Sequence, residues 1–290
     1  MGKVKVLTDS TCDLTADIVS RYNIGVIPLY VTLDKDSLRD GEQVSPRDLY
    51  AYFDQTKRTP KTSTPTIGDF VARFEPYARD GQEIVFVGIS EAMSTTVNNA
   101  RAAAAEFPGA VIRCVNSRSL STGVGLMVIA ACELAERGFG AERIEAELIG
   151  MAPRVRASFV LDTLTYLYYG GRCSAVQSIG SMLLRIKPRI EVVNGEMAPT
   201  EKYRGSFANV ARQYAQSALG AAKPESIQRI DPKRVFITYT ADTEQAAVDA
   251  VREEVEALRY FDEVIETRAG CVITSHCGQN TIGVLFVEKP

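Results

Sequence analysis

The sequence predicts an α/β fold built as two α/β domains, 1–153 and 154–290, and three observations predict it. In the first half, a short apolar strand runs three times into a hydroxyl-rich turn that opens a helix: Val4–Leu7 into Thr8–Thr11, Ile84–Ile89 into Ser90–Thr96, and Val111–Val115 into Asn116–Gly123. Strands alternating with helices imply a parallel sheet with flanking helices. After Pro153 the style changes, because Arg189–Tyr203 reads as a hairpin around Asn194-Gly195, a dipeptide suited to a type I′ turn. A hairpin among βα units indicates a mixed sheet. A chain of 290 residues, 46% apolar and 24% charged, can bury the core that two such domains need.

The elements follow in order. A helix is expected over Thr15–Tyr22 and a second apolar strand over Val26–Val31, with a polar loop over Asp34–Gln43. Ser45-Pro46 has the N-cap-then-proline form of a helix start, continuing through Phe53. Lys57–Thr66 is turn-rich and feeds a helix over Asp69–Arg79. Asn99–Glu106 reads as helix, and Leu126–Arg137 as a helix closed by Gly138. In the second half, Ala157–Thr163 reads as strand and Leu164–Tyr169 as a short helix ended by Gly170-Gly171. A helix over Arg172–Arg185 is stopped by Lys187-Pro188. Beyond the hairpin come helix 206–221, strand Val235–Tyr239, helix Thr243–Leu258 and strand Val264–Thr267. Cys271–Cys277 is expected as a strand-to-turn junction before a final strand, Ile282–Val287.

Composition narrows the function. A net charge of −3 gives no footprint for nucleic acid or an acidic membrane. No signal peptide is expected, since Lys3 and Lys5 lead into a strand, and the weakly polar run Leu120–Cys132 is too short to span a bilayer. Six scattered cysteines without a C-x-x-C pair fit reduced, buried thiols and a cytoplasmic location. Cys271, His276 and Cys277 are too few and too widely spaced for a zinc site, so no metal or cofactor is expected.

A parallel sheet binds ligands beyond the carboxyl ends of its strands, where helix N-termini offer free N–H groups and Ser or Thr adds neutral donors. Such a site suits a carboxylate at least as well as a phosphate. Ser94 is the first candidate, with two readings: an N-cap for its own helix, or a hydroxyl addressed to a ligand. Thr62 and Ser63 precede Thr64-Pro65 and are either turn residues or ligand contacts, and the same choice holds for Asp9, Ser10 and Thr11. His276, the single histidine, is either a packed residue or a donor beside a carboxylate. Arg172 is either a solvated side chain or a clamp for a carboxylate or phosphate. The chain has neither a G-x-S-x-G elbow nor a Walker loop.

Taken together, these segments resemble the DegV family of bacterial fatty-acid-binding proteins, nearly end to end. The resemblance rests on Thr8-Asp9-Ser10-Thr11-Cys12-Asp13-Leu14, Thr62-Ser63-Thr64-Pro65, Met93-Ser94-Thr95-Thr96 and Val115-Asn116-Ser117. It continues through Thr163–Leu167, Gly170-Gly171-Arg172-Cys173-Ser174, Ile186-Lys187-Pro188 and Ser275-His276-Cys277-Gly278 with Gly283. It implies a long-chain fatty acid in a tunnel between the two domains, its carboxylate held at Thr62, Ser63, Ser94, Thr95 and His276. Arg172 falls on the family arginine associated with handing the acid to an ATP-binding fatty acid kinase subunit, related to that of dihydroxyacetone kinases. The chain itself would then be a carrier and not an enzyme. Thr95 stands where the family usually has glycine, Thr64 where it often has glutamine, and Glu91 where it has a small residue. Two other readings stay open: a serine-dependent acyl hydrolase using Ser94 and His276, and a binding module for a small polar anion.

Overall fold

The computed structural model describes residues 4–177, 186–220 and 224–290. Strand β1 (Val4–Asp9) is buried throughout and ends in a single 3-10 turn, Ser10–Cys12. Helix α1 (Ala16–Arg21) starts on the Thr15 hydroxyl and leads to β2 (Gly25–Ile27). Pro28 then divides the apolar run Val26–Val31, which reads as one strand. A proline has no N–H for the ladder, so pairing with β1 stops and the chain resumes as β3 (Tyr30–Leu33) in another sheet.

That second sheet is small and antiparallel. Strand β4 (Asp36–Arg39) flanks β3 on one side; helix α2 (Pro46–Thr56) follows in sequence, and β5 (Lys61–Ser63) flanks β3 on the other side. Its outer strands correct the expected loop over Asp34–Gln43 and the expected turn over Lys57–Thr66. Their pattern is faint in the sequence because Val31 is the one buried residue in all three strands.

Helix α3 (Ile67–Arg79) opens on a Thr66–Asp69 capping box and feeds β6 (Glu83–Gly88), and α4 (Thr96–Ala104) feeds β7 (Ile112–Asn116). These strands make a parallel sheet in the order β2-β1-β6-β7. Phe70 and Phe74 of α3 with Val97 and Ala100 of α4 cover one face. Helix α5 (Thr122–Glu136) covers the other, and α6 (Ala141–Met151), which the sequence reading did not anticipate, packs beside it through Ile144 and Leu148.

The second half runs β8 (Val155–Leu161), α7 (Thr165–Gly170), α8 (Ser174–Gln177), β9 (Lys187–Val193), β10 (Glu196–Tyr203) and α9 (Phe207–Ala218). It continues through α10 (Pro224–Ile227), β11 (Ile230–Tyr239), α11 (Gln245–Ala257), β12 (Glu263–Arg268), α12 (Cys271–Cys277) and β13 (Thr281–Glu288). The six strands form a mixed sheet in the order β10-β9-β8-β13-β11-β12, with β11 and β12 parallel and the other neighbours antiparallel. The expected hairpin is β9–β10, and both turn residues take the positive φ of a type I′ turn, 54° at Asn194 and 90° at Gly195. Of the helix expected over Arg172–Arg185, residues 178–185 lie outside the described residues, as does residue 221 at the end of helix 206–221.

Ten of the 15 residues of α5 are buried, because it lies between the two large sheets and touches β1, β6, β8 and β13. A helix enclosed on all sides carries no polar stripe, which explains the run Leu120–Cys132. Among the described residues no helix is long and apolar enough to cross a membrane. All six cysteines are buried free thiols.

Cys271–Cys277 is helical, correcting the expected strand-to-turn junction. Its start is held by two acidic side chains from the first half: the Gly270 N–H donates to Asp13 Oδ1 and the Cys271 N–H to Asp40 Oδ1, each at 2.8 Å. Free N–H groups at a helix start need such acceptors. Nothing local in the sequence signals them.

Burial pushes the Asp13 carboxyl up to about 8, against the opposing effect of hydrogen bonds from the Gly270 N–H and the Ser121 hydroxyl. The folded state therefore keeps a proton that the unfolded state releases near 3.8, so stability falls as pH rises from 3.8 to 8 and levels off above. We expect Asp13→Asn to lose about 1 kcal/mol less than wild type between pH 7 and 9 in urea titrations. Equal losses would place the proton elsewhere.

Candidate functional site

The strand-end turns, β5, the last turn of α12 and the end of α7 converge on a cleft of about 470 Å³. Alternation along β5 leaves Lys61 and Ser63 exposed and turns Thr62 inward, at the position paired with Val31. Thr62 Oγ1 lies 2.9 Å from His276 Nε2. The other ring nitrogen, Nδ1, is buried, has no hydrogen-bond partner among the described residues, and faces Gly170. A Cβ at position 170 would come within 2.4 Å of it, so the ring fits only against glycine backbone. Burial, reinforced by the Arg172 guanidinium, pulls the His276 imidazole down to about 4. The ring is neutral at pH 7, and its partner Thr62 is an uncharged hydroxyl.

Ser94 serves the start of its own helix and also lines the cleft. Its Oγ accepts from the Thr96 N–H at 3.3 Å and lies 2.8 Å from Thr96 Oγ1 at the start of α4. Thr95 and Ser63 stand on the exposed rim. Arg172 lines the cleft as well, and its Nη1 donates to Gly170 O at 2.8 Å. Glu91 reaches the cleft, with its charge balanced by an ion pair to Arg101. The deeper wall is apolar, formed by Ile89, Met93, Leu120, Met197, Ile273 and Cys277.

The structure does not bring Asp9, Ser10 and Thr11 into this cleft. Asp9 accepts from the Thr11 N–H and the Ile89 N–H, tying the end of β1 to the end of β6. The Ser10 hydroxyl donates to Asp40. These residues are supports. One cleft residue, Met197, and one residue that braces the cleft wall, Asn99, escaped sequence reading. Asn99 Nδ2 donates to Thr64 Oγ1 at 3.2 Å and to Pro65 O at 2.8 Å, binding the β5 segment to α4. An asparagine inside an Ala-rich helix was the available signal. Met197 carried none, because its place over the cleft depends on how the hairpin docks.

A serine nucleophile must donate a hydrogen bond to its base. The Nε2 of His276 lies against Thr62, and its Nδ1 faces Gly170 with no hydrogen-bond partner among the described residues. An apolar pocket closed at one end by neutral donors instead suits an amphiphile with an anionic head.

The DegV family profile, described as that of an uncharacterised protein, matches residues 3–289. A DegV domain-containing protein of Clostridium acetobutylicum is 31% identical over the full length of both chains. A DegV family protein from Thermus thermophilus, whose structure is described as showing fatty acid binding, superposes with a TM-score of 0.87 at 30% identity over 100% of each chain. DegV of Bacillus subtilis, described as a fatty acid binding protein, superposes with a TM-score of 0.84 at 26% identity, again over 100% of each.

As the only histidine, His276 is observable by itself in proton NMR. Its midpoint should fall near 4 and rise in Arg172→Ala. Because the folded ring binds a proton less readily than the unfolded one, its contribution to stability is complete above 6.5 and lost as pH falls toward 4. A midpoint at 6.5 would show that the ring is solvated.

Proposed function

The chain belongs to the DegV family, and we propose that it binds a long-chain fatty acid in the cleft between its two halves and presents the carboxylate to a partner kinase. The carrying observation is an apolar wall that ends in the neutral pair Thr62–His276. Fatty-acid binding by the Thermus and Bacillus relatives supports it. Burying a tail contributes about 0.8 kcal/mol per methylene, so some fifteen carbons give a gross ~12 kcal/mol before ordering losses. The head group then needs only orientation. A buried carboxylate without donors is costly, which assigns the contacts to Thr62, Ser94 and His276, with Ser63 and Thr95 at the rim. Arg172, exposed beside the cleft, is assigned to the contact with an ATP-binding kinase subunit that would phosphorylate the acid to an acyl phosphate. In this reading the chain is a cytoplasmic carrier without catalysis of its own, divided at 1–153 and 154–290.

The polar mouth at Glu91 and Thr95 favours one second reading, a module for a small polar anion. Native mass spectrometry of the purified protein, followed by lipid extraction, separates the two: a stoichiometric fatty acid supports the carrier, and a fluorescent long-chain acid that fails to bind sinks it. Ser94→Ala should weaken retention roughly tenfold to a hundredfold, the loss of one hydrogen bond to a charged acceptor. Arg172→Ala should bind normally and fail in kinase assays. A fluorophosphonate adduct on Ser94 would instead move the assignment to a hydrolase.

A further inference from the structure

Behind the main cleft lies a second, much smaller space of about 20 Å³ between α12 and the strands β8, β11 and β13. The two spaces share three lining residues, Leu120, Ile273 and Cys277. All three are buried. Ile273 and Cys277 are four residues apart on one face of α12, and Leu120 meets them from the loop before α5. These three side chains are the partition between the spaces.

The rear space is apolar in effect. Phe159, Ala269 and Leu285 line it, and Phe159 and Ala269 belong to the same apolar cluster as Ile89, Met93 and Met197 of the front cleft. The hydroxyls at its edge already have partners: Thr238 with Thr122 and Thr267, Ser158 with Tyr214, and Thr281 with Cys277 O. A space of this size without unmet polar groups does not attract water. Methylenes suit it.

We propose that Leu120, Ile273 and Cys277 set the acyl-chain length this protein selects, by closing the front cleft against the rear space. The proposal rests on the fatty-acid reading above. Trimming Ile273 would join the two spaces and let a longer tail continue along the same apolar cluster.

The test compares binding of palmitic, stearic and arachidic acids to wild type and Ile273→Ala, with thermal melts confirming the fold. Arachidic acid should gain on the order of tenfold over palmitic acid in the variant, since each further buried methylene adds affinity. Leu120→Ala removes the partition from the other half and should shift the preference in the same direction, which keeps the test available should Ile273→Ala not fold. An unchanged ratio in a folded variant overturns the partition while leaving fatty-acid binding intact. A wild type that binds none of the acids overturns the fatty-acid reading itself, and the partition with it.

Discussion

The site depends on how α12 is held. Asp13 and Asp40, both from the first half, receive the N–H groups at the start of a helix that belongs to the second half. The Ser10 hydroxyl secures Asp40 from behind, and Ser121 does the same for Asp13. The helix cannot rotate or slide without stranding buried acceptors, a cost of about 1–3 kcal/mol for each unsatisfied group. His276 sits at the far end of this seven-residue element, so its meeting with Thr62 across the cleft follows from the two acidic side chains. Cys271 and Val272 fill the space against Leu29, Val31 and Leu49, which fixes the small sheet carrying Thr62 to the same helix.

The two halves are also joined through α5. One apolar cluster extends from Val4 and Val85 through α5 to Val155, Phe236 and Leu285, so the parallel and mixed sheets share a core. A cleft between elements that share a core keeps its walls in register. The hairpin adds a further tie, since the Ser90 hydroxyl donates to Gly195 O at 2.7 Å and brings the tip of the turn onto the loop that carries Ser94. Met197 on β10 therefore lies over the cleft because of a bond made at the turn.

Much of this fold was legible because its signals are local. Repeated strand–turn–helix units gave the parallel sheet, and Asn194-Gly195 gave the hairpin with both residues at positive φ. The small sheet was hidden because one buried valine leaves no alternation to read, and Pro28 looked like part of a strand instead of its end. Helix α12 was hidden for a different reason. Its capping acceptors lie more than two hundred residues away in the chain, and no local pattern carries that information. The Thr8–Leu14 motif was visible as a motif, yet Ser10 and Asp13 serve the clamp and Asp9 ties β1 to β6, none of them lining the cleft.

Gly170-Gly171-Arg172 shows how a legible motif acquires its reason only in three dimensions. Gly170 admits the His276 ring because it has no side chain, and its carbonyl accepts the Arg172 guanidinium. One residue thus brings a cation close to an imidazole that burial already keeps neutral. An anion placed at Thr62 would act on both at once, offsetting the charge of Arg172 and favouring protonation of the ring. The histidine therefore carries no charge at pH 7, and an anionic head group would be answered within the site by groups already in position.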